Sequence, residues 1–148
     1  EIRERLQRKV REVLPLNDCR VLVYFKDGSG RLIDVREFLK GQMNFSHILA
    51  HEELFFQVKV VVGGNGIGWG SNRSIPAEQL YRAGKDAPIR FEELLRFVEL
   101  RVTDSTEAAT LMNCTRQYMN QLVKQGRLHP IREESNNRLF LKSEMEEL

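Results

Sequence analysis

The 148-residue sequence predicts an α+β chain, with a small antiparallel-sheet domain over residues 1–86 and a helical domain over residues 87–148. Three observations carry that expectation. Arg20-Val-Leu-Val-Tyr-Phe-Lys26 is dense in β-branched and aromatic residues, breaks at Asp27-Gly-Ser-Gly30, and resumes at Arg31-Leu-Ile-Asp-Val35 with partial alternation, the pattern of a β-hairpin with a glycine-containing turn. Later in the chain the period changes: Phe91, Leu94, Leu95, Val98 and Val102 recur at steps of three and four, one apolar stripe on a helix that starts near Ile89. Between these textures lies the polar segment Arg82-Ala-Gly-Lys-Asp-Ala-Pro88, whose Gly84 and Pro88 oppose helix continuation, and the domain boundary is placed there.

The other elements of the first domain follow from local composition. Residues 55–62 read as a third strand, Gly63-Gly-Asn-Gly66 as a turn that tolerates positive φ, and Ile67-Gly-Trp69 as the start of a fourth strand. Short helices are expected over residues 35–40 and 76–81. The amino-terminal stretch fits two descriptions: Leu6, Val10, Val13 and Leu14 have helical spacing, while residues 10–14 also suit an edge strand ending at Pro15.

Composition bounds the function. With 41% hydrophobic and 30% charged residues the chain is globular rather than disordered. No apolar run approaches the roughly 20 residues of a membrane span, and the longest, residues 58–62, is interrupted by Lys59. Residues 1–11 are basic without an apolar stretch behind them and are not expected to act as a secretory signal. Cys19 and Cys114 have no second cysteine at a metal-ligand or redox spacing, which points to free thiols in a reducing, cytoplasmic setting.

Features that suggest site chemistry in the first domain have plainer readings. The glycine-rich stretch before Trp69 lacks the helix start and Gly-Lys-Ser/Thr of a phosphate loop, so a hairpin turn is expected. His47 and His51 stand four apart but no third metal ligand accompanies them, and the adjacent Glu52 and Glu53 diverge on a helix or a strand alike. Phe25, Phe55, Trp69, Leu80 and Tyr81 read as core. No nucleophile has a base partner. Neither catalytic residues, a metal site nor a cofactor is expected, and the chain is not read as an enzyme.

The string Arg20-Val-Leu-Val-Tyr-Phe-Lys-Asp-Gly28, with Ile33-Asp34-Val35, Phe45, Phe55, Ile67, Trp69 and Leu80-Tyr81, resembles a family of small bacterial domains of unknown function over about residues 10–84. The resemblance implies a compact domain on an antiparallel sheet, sometimes joined to a helix-turn-helix and sometimes found in antitoxin-like settings.

The carboxy-terminal third carries more. Asp104 or Ser105 can cap a helix with interior Glu107-Ala-Ala-Thr-Leu-Met112; Asn113 ends it, because asparagine tolerates the left-handed conformation that a tight interhelical turn needs. Thr115 then caps a second helix over residues 116–125, which Gly126 terminates. If Cys114, Met119, Leu122 and Val123 face inward, Arg116, Gln117, Asn120, Gln121 and Lys124 share the outward face. Charge is segregated too. The chain carries a net +2, and residues 89–148 hold 9 basic against 10 acidic residues, yet residues 113–142 contain six cations against only Glu133 and Glu134. Such local excess suits one face meeting a polyanion.

Glu107-Ala-Ala, Asn113-Cys-Thr-Arg116, Leu122-Val-Lys-Gln-Gly-Arg-Leu128, Arg138-Leu-Phe140 and Lys142-Ser-Glu144 together resemble the excisionase and MerR-type winged helix-turn-helix over residues 103–148, with Asn113 and Met119 standing where that family has glycine and a β-branched residue. The resemblance implies a recognition helix over residues 115–125 in the DNA major groove and a hairpin wing over residues 131–140 with Ser135-Asn-Asn137 at its tip. It assigns Thr115 and Arg116 to the first contacts, Arg116 to guanine, and Gln117, Asn120 or Gln121 to adenine. Lys124, Arg132, Arg138 and Lys142 would meet phosphates, giving a salt slope of about −3 to −4. The implied function is a DNA-binding transcriptional regulator or antitoxin-like autoregulator that acts on double-stranded DNA as a homodimer, its amino-terminal domain binding a protein partner or dimerising. Two alternatives stand beside it: a protein-interaction adaptor without DNA affinity, and a small-molecule sensor.

Overall fold

A computed structural model of the chain describes residues 2–70, 73–134 and 137–148. The chain divides into two compact units, Glu1–Glu93 and Leu94–Leu148. The fold is α+β, and all paired strands are antiparallel.

In the first unit the amino-terminal ambiguity resolves toward the strand: β1 (Val10–Leu16) takes Val10, Val13 and Leu14 and continues through Pro15, while the preceding helix α1 (Ile2–Gln7) holds only Leu6 of the helically spaced set. β2 (Arg20–Phe25) and β3 (Gly30–Asp34) form the hairpin read from the sequence. Asp34 accepts hydrogen bonds from the backbone of Arg36 and Glu37 and so caps α2 (Val35–Phe38). α3 (Ser46–Ala50) and α4 (Glu52–Phe55) lead to the short strands β4 (Lys59–Val60), β5 (Gly66–Gly68) and β6 (Ser74–Pro76), and then to α5 (Ala77–Ala83) and β7 (Lys85–Asp86). One sheet has the order β1-β2-β3-β7, the other β4-β5-β6.

The expected strand over residues 55–62 is corrected: Phe55 ends a helix and only Lys59 and Val60 pair. Phe55 is buried against Trp69, whose indole N–H donates to the Phe55 carbonyl at 2.8 Å, so that carbonyl is satisfied outside any ladder. Gly66 is needed in β5 because a Cβ there would collide with the Ile75 carbonyl oxygen. Phe25, Phe55, Ile67, Ile75 and Leu80 fill the core, with Trp69 and Tyr81 partly buried against it.

The division between the units falls later than the Gly84–Pro88 segment, because residues 87–93 are bonded to the first unit. The Ala87 amide donates to Gly30 and the Phe91 amide to Gly28; the Tyr24 hydroxyl donates to the Ile89 carbonyl at 3.0 Å; and the Phe91 ring lies 5.4 Å from that of Tyr24. Burial, with the charge of Glu93, raises the Tyr24 pKa and keeps the hydroxyl a donor.

The second unit continues α6 (Phe91–Arg101) into β8 (Val102–Asp104), α7 (Ser105–Leu111), α8 (Arg116–Lys124), β9 (Arg132–Glu134), β10 (Asn137–Leu141) and α9 (Lys142–Glu146). Its sheet has the order β8-β10-β9. Phe140, Leu128, Met119, Leu122, Ala108, Ala109 and Met145 form its core. The helix expected from the apolar stripe forms as α6, yet no residue of it is buried, and Leu95, Phe97, Val98 and Leu100 are all exposed. No helix among the described residues is long and apolar enough to cross a membrane.

One polar knot anchors the first unit. The Asp27 carboxylate accepts from the Ser29 amide and hydroxyl and from the Tyr81 hydroxyl, while Arg31 lies over the Tyr81 ring. Burial pushes the Asp27 carboxyl up, but those hydrogen bonds and the Arg31 charge outweigh it and hold the pKa below the usual range. A carboxyl lowered in the folded state contributes stability above its unfolded pKa and loses it as pH falls through the folded value. Tyr81→Phe is therefore expected to cost about 1–2 kcal/mol at neutral pH. The gap to wild type should narrow on acidification below the Asp27 pKa, as read by denaturant titration of Trp69 fluorescence, the chain's only tryptophan.

Candidate nucleic-acid interface

The arrangement of α7 and α8 is set by their caps. Asp104 accepts from the Glu107 amide at 2.8 Å, and Thr115 Oγ1 accepts from the Tyr118 amide at 3.1 Å. Both helices end alike: Asn113 at φ 53° and Gly126 at φ 72° turn the chain, and the following amides, Cys114 and Arg127, reach back to the carbonyls of Ala109 and Leu122. Each is a Schellman termination, which satisfies carbonyls that would otherwise lack donors. Four residues separate the helices, and Ala108 and Ala109 let α8 approach α7 closely.

Burial of Met119 and Leu122 fixes the rotation of α8. Arg116, Gln117, Asn120, Gln121 and Lys124 are all exposed, within about 140° of arc at 100° per residue, as the sequence reading places them. Tyr118 is 46% exposed on the flank. Thr115 is committed to its cap, so its hydroxyl serves the helix first.

β9 and β10 pair as a hairpin within residues 131–141, and its Arg138 reaches Asn120 of α8; Ser135 and Asn136 of the expected tip lie outside the described residues. Here the structure adds what spacing did not reveal. Arg138 donates through Nη1 to Asn120 Oδ1 at 2.7 Å and pairs through Nη2 with Glu133 at 3.0 Å. Arg132 pairs with Glu134 at 2.6 Å, and Lys142, with its side chain 23% exposed, pairs with Glu107 at 3.2 Å. Three of the four cations expected at phosphates thus have carboxylate partners within the unit. Among the described residues no carboxylate lies within 4 Å of Lys124 or of Arg127, a cation absent from the expected set although Gly126 places it at the end of α8. A cleft of about 170 Å³ between helix and hairpin is lined by Arg116, Asn120, Glu134 and Arg138, with Met119 and Phe140.

The first unit offers less. His47 and His51 stack at 4.4 Å, with His51 Nδ1 against the His47 carbonyl, and no three His, Cys, Asp or Glu residues among those described converge as a metal site. Trp69 borders an open groove with Leu54, Val60 and Val61, whereas Tyr81 is committed to Asp27. Comparison with protein-family models, curated proteins and solved structures gives no match.

The caps add to the stability of the two helices whose packing orients α8. Thr115→Ala is expected to lower the stability of the Leu94–Leu148 unit by about 1 kcal/mol. Asp104→Ala should have a similar effect, both read by urea unfolding followed by far-ultraviolet circular dichroism.

Proposed function

We propose that the chain is a cytoplasmic DNA-binding protein, a transcriptional regulator or antitoxin-like autoregulator, in which residues 94–148 act as a winged helix-turn-helix. α8 is the recognition helix and the β9–β10 hairpin the wing. The observation that supports this reading best is the outward face of α8. Arg116, Gln117, Asn120, Gln121 and Lys124 provide two cations and three carboxamides, the groups that match base edges and phosphates, on a helix narrow enough for a major groove. A homodimer on two half-sites, with the first unit dimerising or holding a protein partner, would supply the area that one small module lacks.

The ion pairs change the expected electrostatics. An arginine already beside a glutamate displaces few counterions from a phosphate, which leaves Lys124 and Arg127 as the principal phosphate contacts. Duplex binding should then show a log–log salt slope of about −2 per module, shallower than four contacts would give. Lys124→Ala is expected to reduce that slope by about 1 and weaken all sequences alike, whereas Arg116→Ala should weaken a selected site more than random duplex. Fluorescence anisotropy over a salt series measures both.

A second reading, a protein-interaction adaptor, draws support from the exposed apolar residues of α6 and the near-neutral hairpin. Duplex binding that is absent at low salt would select it over the first.

A further inference from the structure

We infer that Arg138 is a positioning residue that fixes what Asn120 can read, turning the carboxamide from an adenine reader into a hydrogen-bond donor selective for guanine. The inference rests on α8 being the recognition helix. Free asparagine recognises adenine by using both ends of its amide, accepting from N6–H and donating to N7. In this chain one end is already in use. Arg138 has donors only, so the amide atom 2.7 Å from its Nη1 must be the oxygen; that oxygen keeps a second lone pair, but the guanidinium charge beside it opposes a further donor such as adenine N6–H, which makes the nitrogen of Asn120 the end better suited to a ligand.

The tie is held from behind. Arg138 and Glu133 are directly opposite in the β9–β10 ladder, and Glu133 binds the other guanidinium nitrogen at 3.0 Å, so both Nη atoms are engaged and the side chain is only 26% exposed. The guanidinium is a planar fork, and two bonds at its tips fix its plane as well as its position. With Oδ1 engaged, Asn120 presents N–H groups. Guanine offers two acceptors on its major-groove edge, O6 and N7; thymine offers one; adenine sets a donor beside its acceptor; and cytosine offers a donor alone. Guanine is the best match. Arg138 thereby acts on specificity through a second side chain.

The test is selection of binding sites from a randomised duplex library by the full-length protein, followed by affinity measurements on the enriched site. Asn120→Asp has the same shape, retains an acceptor for Arg138, and removes the N–H groups; the base pair at which it abolishes guanine preference is the one Asn120 reads. At that base pair Arg138→Met, which frees Oδ1, should shift preference from guanine toward adenine by about ten-fold or more. Circular dichroism establishes that both variants are folded. If Asn120→Asp leaves the selected site unchanged, or Arg138→Met keeps guanine there, the inference is overturned and the DNA-binding reading stands. Equal weakening of every sequence by Arg138→Met, with a shallower salt slope, overturns it too, making Arg138 a phosphate contact. If the wild-type protein binds no duplex in a salt-dependent way, the functional reading itself fails and the inference falls with it.

Discussion

The second unit depends on one packing constraint, the burial of Met119 and Leu122 against Ala108, Ala109 and Phe140. A helix of nine residues has too few hydrogen bonds to persist alone. Its stability comes from that apolar contact and from the caps at its ends. Once Met119 and Leu122 are buried, residues at 100° intervals leave no freedom in which side chains face out. The small alanines matter as much as the large residues, because a longer side chain at Ala108 would separate the helices and loosen the hold on both rotation and tilt.

Much of this was legible in the sequence. Asp104, Thr115, Asn113 and Gly126 are signals with a local mechanism, since each acts on backbone groups within a few residues, and each does in the structure what its chemistry implies. The β2–β3 hairpin was legible for the same reason. Residues 55–62 mislead because β propensity describes a surface to be packed, and here tertiary contact decides otherwise: the Trp69 indole takes the Phe55 carbonyl, and the ring of Phe55 enters the core from a helix. The α6 stripe illustrates another limit. Periodicity identifies a face and says nothing about what covers it.

The ion pairs fall between these cases. The observed register sets Glu133 opposite Arg138, whereas the expected tip at residues 135–137 would have set residue 134 there, so the sequence brings a glutamate opposite Arg138 without fixing which one. The pairing of Lys142 with Glu107 could not be read from the sequence, because 35 positions separate them and only the fold brings the start of α9 to the first turn of α7. Counting cations in a segment overstates its field whenever the acids that neutralise them are close in space but distant in sequence.

That neutralisation bears on how the proposed interface would divide its work. Exposed ion pairs add little to stability, roughly 0–1 kcal/mol each, so their larger effect is on the field the hairpin presents. With Arg132 and Arg138 beside Glu134 and Glu133, the hairpin would contribute shape and orientation more than attraction to the proposed interface. Non-specific affinity for duplex DNA comes mainly from phosphate neutralisation, and discrimination from base edges. On the proposed reading, a unit with most of its hairpin cations paired and three carboxamides on one helical face would be weighted toward discrimination, and weak as a single module. Weak modules become selective binders when two are joined, because the second contact is made at the effective concentration set by the first. On the proposed reading the first unit then has a physical role, which is to bring two such helices to one site.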